Sequence, residues 1–175
     1  LECKGPVAVR YPRGSGPGVP LDDSALIPIK IGTAEKCRDQ IFDSDIADNS
    51  KHHKIAILAF GSMVQPCIKV GDVLNTSVIN MRFVKPIDSD MLRTVVETHN
   101  VIVTVEEHVK MGGAGSACLE ALSLIKYKND CEPKFLHLGL PDKNIDHGDC
   151  ETLLKREGLD FLGIKLSIEN FIRQL

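Results

Sequence analysis

The sequence predicts an α/β fold: a three-layer open sheet, mainly parallel, with an antiparallel edge strand. Three observations predict it. Four apolar runs rich in β-branched residues, "KIAILAFG" (54–61), "TSVINMRF" (76–83), "VIVTVEE" (101–107) and "KFLHLGL" (134–140), read as strands. Helical stretches near 63–75, 89–99 and 114–127 lie between them. That spacing leaves room for the crossover that two parallel neighbours require, which a tight hairpin cannot supply.

Ahead of this regular part, "PVAVRYP" (6–12) alternates enough for a strand. "RGSGPGVPL" (13–21) then packs glycine and proline densely enough to read as a linker, which sets a boundary near residue 14. Residues 1–14 therefore form one unit, 15–30 a linker and 31–175 the main domain. "IPIKIGTAEKC" (27–37) offers another strand or two. "DQIFDSDIADNSKHH" (39–53), full of Asp, Ser and Asn, reads as polar loop, and residues 36–53 are expected to be an exposed insertion. The chain closes with helices over 150–157 and 163–174, where Leu166, Phe171 and Leu175 are placed on an apolar face.

Ligands in such sheets meet the loops at the carboxyl ends of the strands. In "AFGSMVQP" (59–66), Ser62 lacks the flanking glycines of a nucleophile elbow and reads as a helix cap, with Pro66 in the first turn of the following helix. In "RFVKPIDSD" (82–90), Asp88, Ser89 or Asp90 caps the next helix and Lys85 is a solvated charge.

The stretch "VEEHVKMGGAGSA" (105–117) carries the sharpest question. It holds the first two glycines of a G-x-G-x-x-G pattern, but Cys118 stands in place of the third, and no G-K-[ST] follows. Free N–H groups at the start of the next helix attract anions. Glu106 and Glu107 oppose a phosphate there, since two like charges ~5 Å apart repel by roughly 3 kcal/mol at an effective dielectric near 20. Glycines also let another backbone approach closely. The loop is read as an interface and helix-start element, with Glu106, Glu107, Gly112, Gly113 and Gly115 as its interface residues. In "LGLPDKNIDHGDCETLLKREGLD" (138–160), Asp142 and Asp146 with His147 form an acid/base group, or else Asp146-His147-Gly148-Asp149 makes a turn and helix cap ahead of "CETLLKREG".

Composition narrows the function classes. With 21 basic and 24 acidic side chains and a net charge of −3, no electrostatic footprint for nucleic acid or an anionic membrane stands out. No apolar run approaches the roughly 20 residues of a membrane span, and no signal peptide is read at the start of the sequence. Six scattered cysteines without a C-x-x-C pair read as free thiols, and six histidines show no zinc-ligand spacing. No metal site is expected, and the chain is placed in the cytoplasm, with a plastid as the alternative.

Four stretches in order, "AVRYPRGSG" (8–16), "MRFVKPID" (81–88), "VTVEEHVKMGGAGSA" (103–117) and "LGLPDKNIDHGDCETLLKREGLD" (138–160), resemble the C-terminal third of the 1-deoxy-D-xylulose-5-phosphate synthases. The resemblance covers nearly the whole chain apart from the insertion. It implies a transketolase C-terminal-domain-like fold, with residues 1–14 as the last strand of a preceding pyrimidine-binding domain. It further implies a transketolase-type transferase that condenses pyruvate with D-glyceraldehyde 3-phosphate and releases carbon dioxide. That reaction uses thiamine diphosphate and magnesium and feeds isoprenoid and thiamine biosynthesis. The cofactor-holding domains of that enzyme are missing from this sequence. No cofactor is therefore expected to bind this chain alone, no catalytic residue is assigned to it, and alone it is expected to be inactive. Its implied partners are the N-terminal and pyrimidine-binding domains of the same enzyme and a second copy in a homodimer. Arg13, the second arginine of "RYPRG", matches the family's arginine for the substrate phosphate, a role that its planar charged fork suits. The alternative is a separate subunit of a split transketolase or 2-oxoacid dehydrogenase-type enzyme.

Overall fold

A computed structural model of the chain describes residues 4–9, 28–41, 53–126 and 132–175. Its centre is a five-stranded sheet in the order β1-β3-β2-β4-β5. The strands are β1 (Glu35–Arg38), β2 (Ile55–Ala59), β3 (Ser77–Asn80), β4 (Val101–Val109) and β5 (Lys134–Leu140). β1 runs antiparallel to β3, and the other three pairings are parallel. The helices are α1 (Val64–Leu74), α2 (Ser89–Thr98), α3 (Ala114–Ser123), α4 (Cys150–Arg156) and α5 (Phe161–Ile172). The predicted α/β class, parallel core and antiparallel edge are those observed.

Period-2 alternation divides the core between the two faces. Ile55, Ile57, Ala59, Val101, Val103 and Val105 pack with Cys67 and Val70 of α1 and with Ile164 and Ile168 of α5. Ala56, Leu58, Ile79 and Ile102 pack on the other side with Leu92 and Val95 of α2 and with Cys118 and Leu122 of α3. A helix layer thus covers each face. From β2 the chain crosses by α1 to β3 on one side, and then by α2 to β4 on the other. The connections therefore diverge between β2 and β4, where α/β sheets open a crevice at their carboxyl ends.

Helix starts follow local chemistry. Asp88 caps α2, accepting the Met91 N–H at 2.8 Å, and its second oxygen takes the Ala34 N–H at 2.7 Å. Asp149 caps α4 and Asp160 caps α5 in the same way.

Residues 6–9 of the first expected strand are exposed and pair with none of the described strands; residues 10–12 lie outside the described residues. Three expectations are corrected. Lys36–Arg38, placed in the exposed insertion, instead form part of β1. Arg38 secures them, donating to Asp72 at 2.9 Å and to the Thr76 carbonyl at 2.5 Å. Ser62 is not a cap: Met63 stands at that position, with no side-chain capping bond. On α5 the buried stripe is Ile164 and Ile168, one turn apart, with Phe171 packed beside it, whereas Leu166 and Leu175 are about half exposed. Leu166, two residues from each isoleucine, is rotated to the opposite side.

Candidate functional site

The carboxyl edge gathers most of the residues that the sequence singles out. β4 runs past its neighbour here: Val105 pairs with Leu138, but the next partners are Val109 and Leu140, so β4 bulges around Glu106–His108. The alternation of β4 separates its two adjacent carboxylates. Glu106 points toward α3 and is 2% exposed, while Glu107 is exposed.

Glu106 closes the start of α3 from within. Its Oε2 accepts the Ala114 N–H at 2.7 Å, and its Oε1 accepts the Gly115 N–H at 2.8 Å. His137 of β5 adds its Nε2, 2.8 Å from Oε1. A helix start exposes unpaired N–H groups and a partial positive charge, and both attract an anion. Here the chain supplies that anion itself. Ser116 finishes the turn, accepting the Gly112 N–H at 3.1 Å and donating to the Lys110 carbonyl at 2.7 Å.

The glycines exist for this closure. A Cβ at Gly113 would overlap the Glu106 carboxylate and the Val109 carbonyl, and one at Gly115 would overlap His137 and the Thr104 hydroxyl. Gly112 instead has φ +72°, a left-handed turn conformation that glycine adopts without strain. Of the five residues read as interface, Glu106, Gly113 and Gly115 are thus buried inside the chain, and only Glu107 and Gly112 lie at its surface. The Cys118 thiol, behind this turn, is pushed up to about 12 by burial and by the Glu106 charge. Cys67 is likewise pushed up to about 12 by burial.

Glu107 faces the α1 side, where the Ser62 hydroxyl donates to its Oε2. This contact bridges the ends of β2 and β4. Two clefts meet at Glu107. One, of about 450 Å³, lies over the edge between Phe60, Val84 and Gly112. The other, of about 460 Å³, lies toward α4 and is walled by Leu140, Ile145, Leu153 and Leu154. Asp146 and His147 line this second cleft and are exposed; Asp142 is exposed and does not line it. The capping role in that loop falls to Asp149, whose carboxyl is held below its usual range by hydrogen bonds from the Thr152 N–H and hydroxyl.

A diphosphate does not fit this edge. The α3 donors that would receive one are already bonded to Glu106, and Glu107 adds a second negative charge. Among the described residues, no three His, Cys, Asp or Glu side chains are grouped to hold a metal ion, and no helix is long and apolar enough to cross a membrane. Arg13 lies outside the described residues. His137 and Thr104 escaped the sequence reading. Their signal was the parallel register that sets Thr104 beside His137, which the strands alone do not reveal.

The family model for the transketolase C-terminal domain matches residues 46–164. A 1-deoxy-D-xylulose-5-phosphate synthase of Chromobacterium violaceum is 44% identical over 164 residues, which are 93% of this chain and 24% of that protein. Its counterpart in Paraburkholderia xenovorans is 46% identical over 173 residues, 98% of this chain and 25% of that protein. The chain thus spans about a quarter of the length of the curated relatives it matches. A solved structure described as a split gene transketolase, inactive beta4 tetramer, superposes with a TM-score of 0.69 at 23% identity. It covers 89% of this chain and 47% of that one, a likeness of fold.

Proposed function

The chain belongs to the transketolase C-terminal domain family, and from that premise we propose that it is the C-terminal domain of a 1-deoxy-D-xylulose-5-phosphate synthase. The parent condenses pyruvate with D-glyceraldehyde 3-phosphate, giving 1-deoxy-D-xylulose 5-phosphate and carbon dioxide. Thiamine diphosphate and magnesium serve that reaction in the parent, held by its preceding domains. This chain contributes packing against those domains and the homodimer, and turns nothing over alone. Residues 1–14 complete the pyrimidine-binding domain, 15–30 link it, and 31–175 form the C-terminal domain. The exposure of Val7 and Val9 (50% and 74%) fits a segment whose partner lies elsewhere. Arg13 grips the substrate phosphate in the assembled enzyme, which works in the cytoplasm.

One observation carries the non-catalytic assignment: Glu106 occupies the helix start at which an α/β sheet would otherwise receive a phosphate. The test is turnover of pyruvate and glyceraldehyde 3-phosphate by the chain alone and by the full-length protein. The chain should be silent and the full-length protein active, with an Arg13→Ala version losing affinity for the phosphorylated substrate. Turnover by the chain alone would refute the reading. An active assembly formed only from two separately encoded chains would favour a split enzyme.

A further inference from the structure

The two clefts that meet at Glu107 share a charge pattern. Glu107 lines both, Asp146 and Glu157 line the cleft on the α4 side, and among the described residues neither cleft is lined by a lysine or an arginine. Glu157 is already paired, lying 3.4 Å from Lys143 and 3.1 Å from Arg156. Glu107 is exposed and receives the Ser62 hydroxyl, a neutral donor that leaves its charge in place. Apolar groups frame it: Phe60 and Val84, the latter 47% exposed, line one cleft, and Leu140, Ile145, Leu153 and Leu154 the other. An α/β crevice at this position ordinarily offers helix N–H groups to an anion. Here Glu106 has consumed them, so the remaining field selects a cation.

We propose that the groove at Glu107 docks a basic side chain, on an apolar stem, from the part of the parent protein that precedes this chain. The inference rests on the functional reading above. Three observations choose this occupant. Charge complementarity calls for a lysine or arginine, and the apolar walls suit its methylene stem. The chain spans only about a quarter of its relatives, so most of the protein lies outside it.

Hydrogen exchange on the full-length protein tests the proposal. Amides 107–113 should exchange at least about tenfold more slowly in the wild type than in Glu107→Lys. Glu107→Gln should give a smaller loss, and Asp142→Lys, away from the groove, none. Protection of 101–105 in β4 should stay constant, which separates undocking from unfolding. A compensating Lys→Glu or Arg→Glu change upstream of the chain should restore protection to Glu107→Lys.

Unprotected amides at 107–113 in the wild type, or protection indifferent to Glu107→Lys, would overturn the docking. Rescue by a change within residues 1–175 would assign the groove to a basic side chain of this chain, its own or a second copy's, and loss of protection on gel filtration would assign it to a small amine. Either would also overturn it. Failure of the functional reading looks different: the full-length protein would then lack synthase turnover whatever stands at 107.

Discussion

At the amino end of the sheet most polar groups answer one another, the buried Thr76 hydroxyl being an exception. Arg38 binds Asp72 and the Thr76 carbonyl, the Asn75 side chain bonds both the N–H and the carbonyl of Ile41, and Gln40 bonds Ile55 and the His53 carbonyl. Ser77 joins the Gln40 N–H to His99. At the carboxyl end the inner carboxylate is fully bonded, but Glu107 and Val84 face open clefts. One end is closed by side chains of this chain, and the other is closed only up to Glu106. The difference teaches where the scaffold stops and the contact surface begins.

Removing the space reserved for Glu106 breaks this contrast most severely. Gly115→Val would drive a branched side chain into His137 and Thr104, and should cost more than about 3 kcal/mol, read as loss of a cooperative thermal transition. Glu106→Ala leaves the Ala114 and Gly115 N–H groups and His137 without their acceptor. It should lower stability by about 3–5 kcal/mol in urea unfolding. At the amino end, Arg38→Ala should cost about 1.5–3 kcal/mol, since two charge-assisted bonds to a part-buried side chain are lost.

A pH scan sharpens the same comparison. Burial is the main force holding the His99 imidazole below its usual range; Lys36 and Lys54 push the same way, while the Val95 carbonyl and Asp39 oppose. The unfolded chain therefore binds the proton first. The stability from this group is complete above about pH 6.5 and is lost as the pH falls toward the lower folded value. His99→Gln should flatten that slope in urea titrations at pH 7.5 and about pH 5.5. The smallest effect is expected at the open surface, where Glu107→Gln should change the stability of this chain by less than about 0.5 kcal/mol.

Much of this contrast was legible in the sequence. β-branched runs separated by helix-length segments determine the α/β class, because each residue's face follows from a period of two or 3.6. Asp88 is among three cap candidates for α2, and the Asp146–Asp149 turn reads as a cap for α4, without the capping residue being fixed in either. Other features depend on register and reach, which no local pattern encodes. The adjacent acids read as one repulsive pair, yet a strand turns neighbours to opposite faces. Glu106 thereby became an internal cap and Glu107 a surface charge. Ser62 looked like a cap because it follows a glycine at a strand end, but the nearby Glu107 took its hydroxyl. His137 and Arg38 act through partners 31 and 34 residues away in the chain. Leu166 looked like core by its spacing from Phe171, and only the angular position of Ile164 and Ile168 shows it facing out.

The most direct test of the central claim, that the chain's own carboxylate closes this edge to phosphate, is calorimetric titration of thiamine diphosphate with magnesium into the chain. The account predicts no saturable heat. Specific saturable binding lost on mutation of the 112–115 turn would contradict it, and would make that turn a cofactor site instead of a cap.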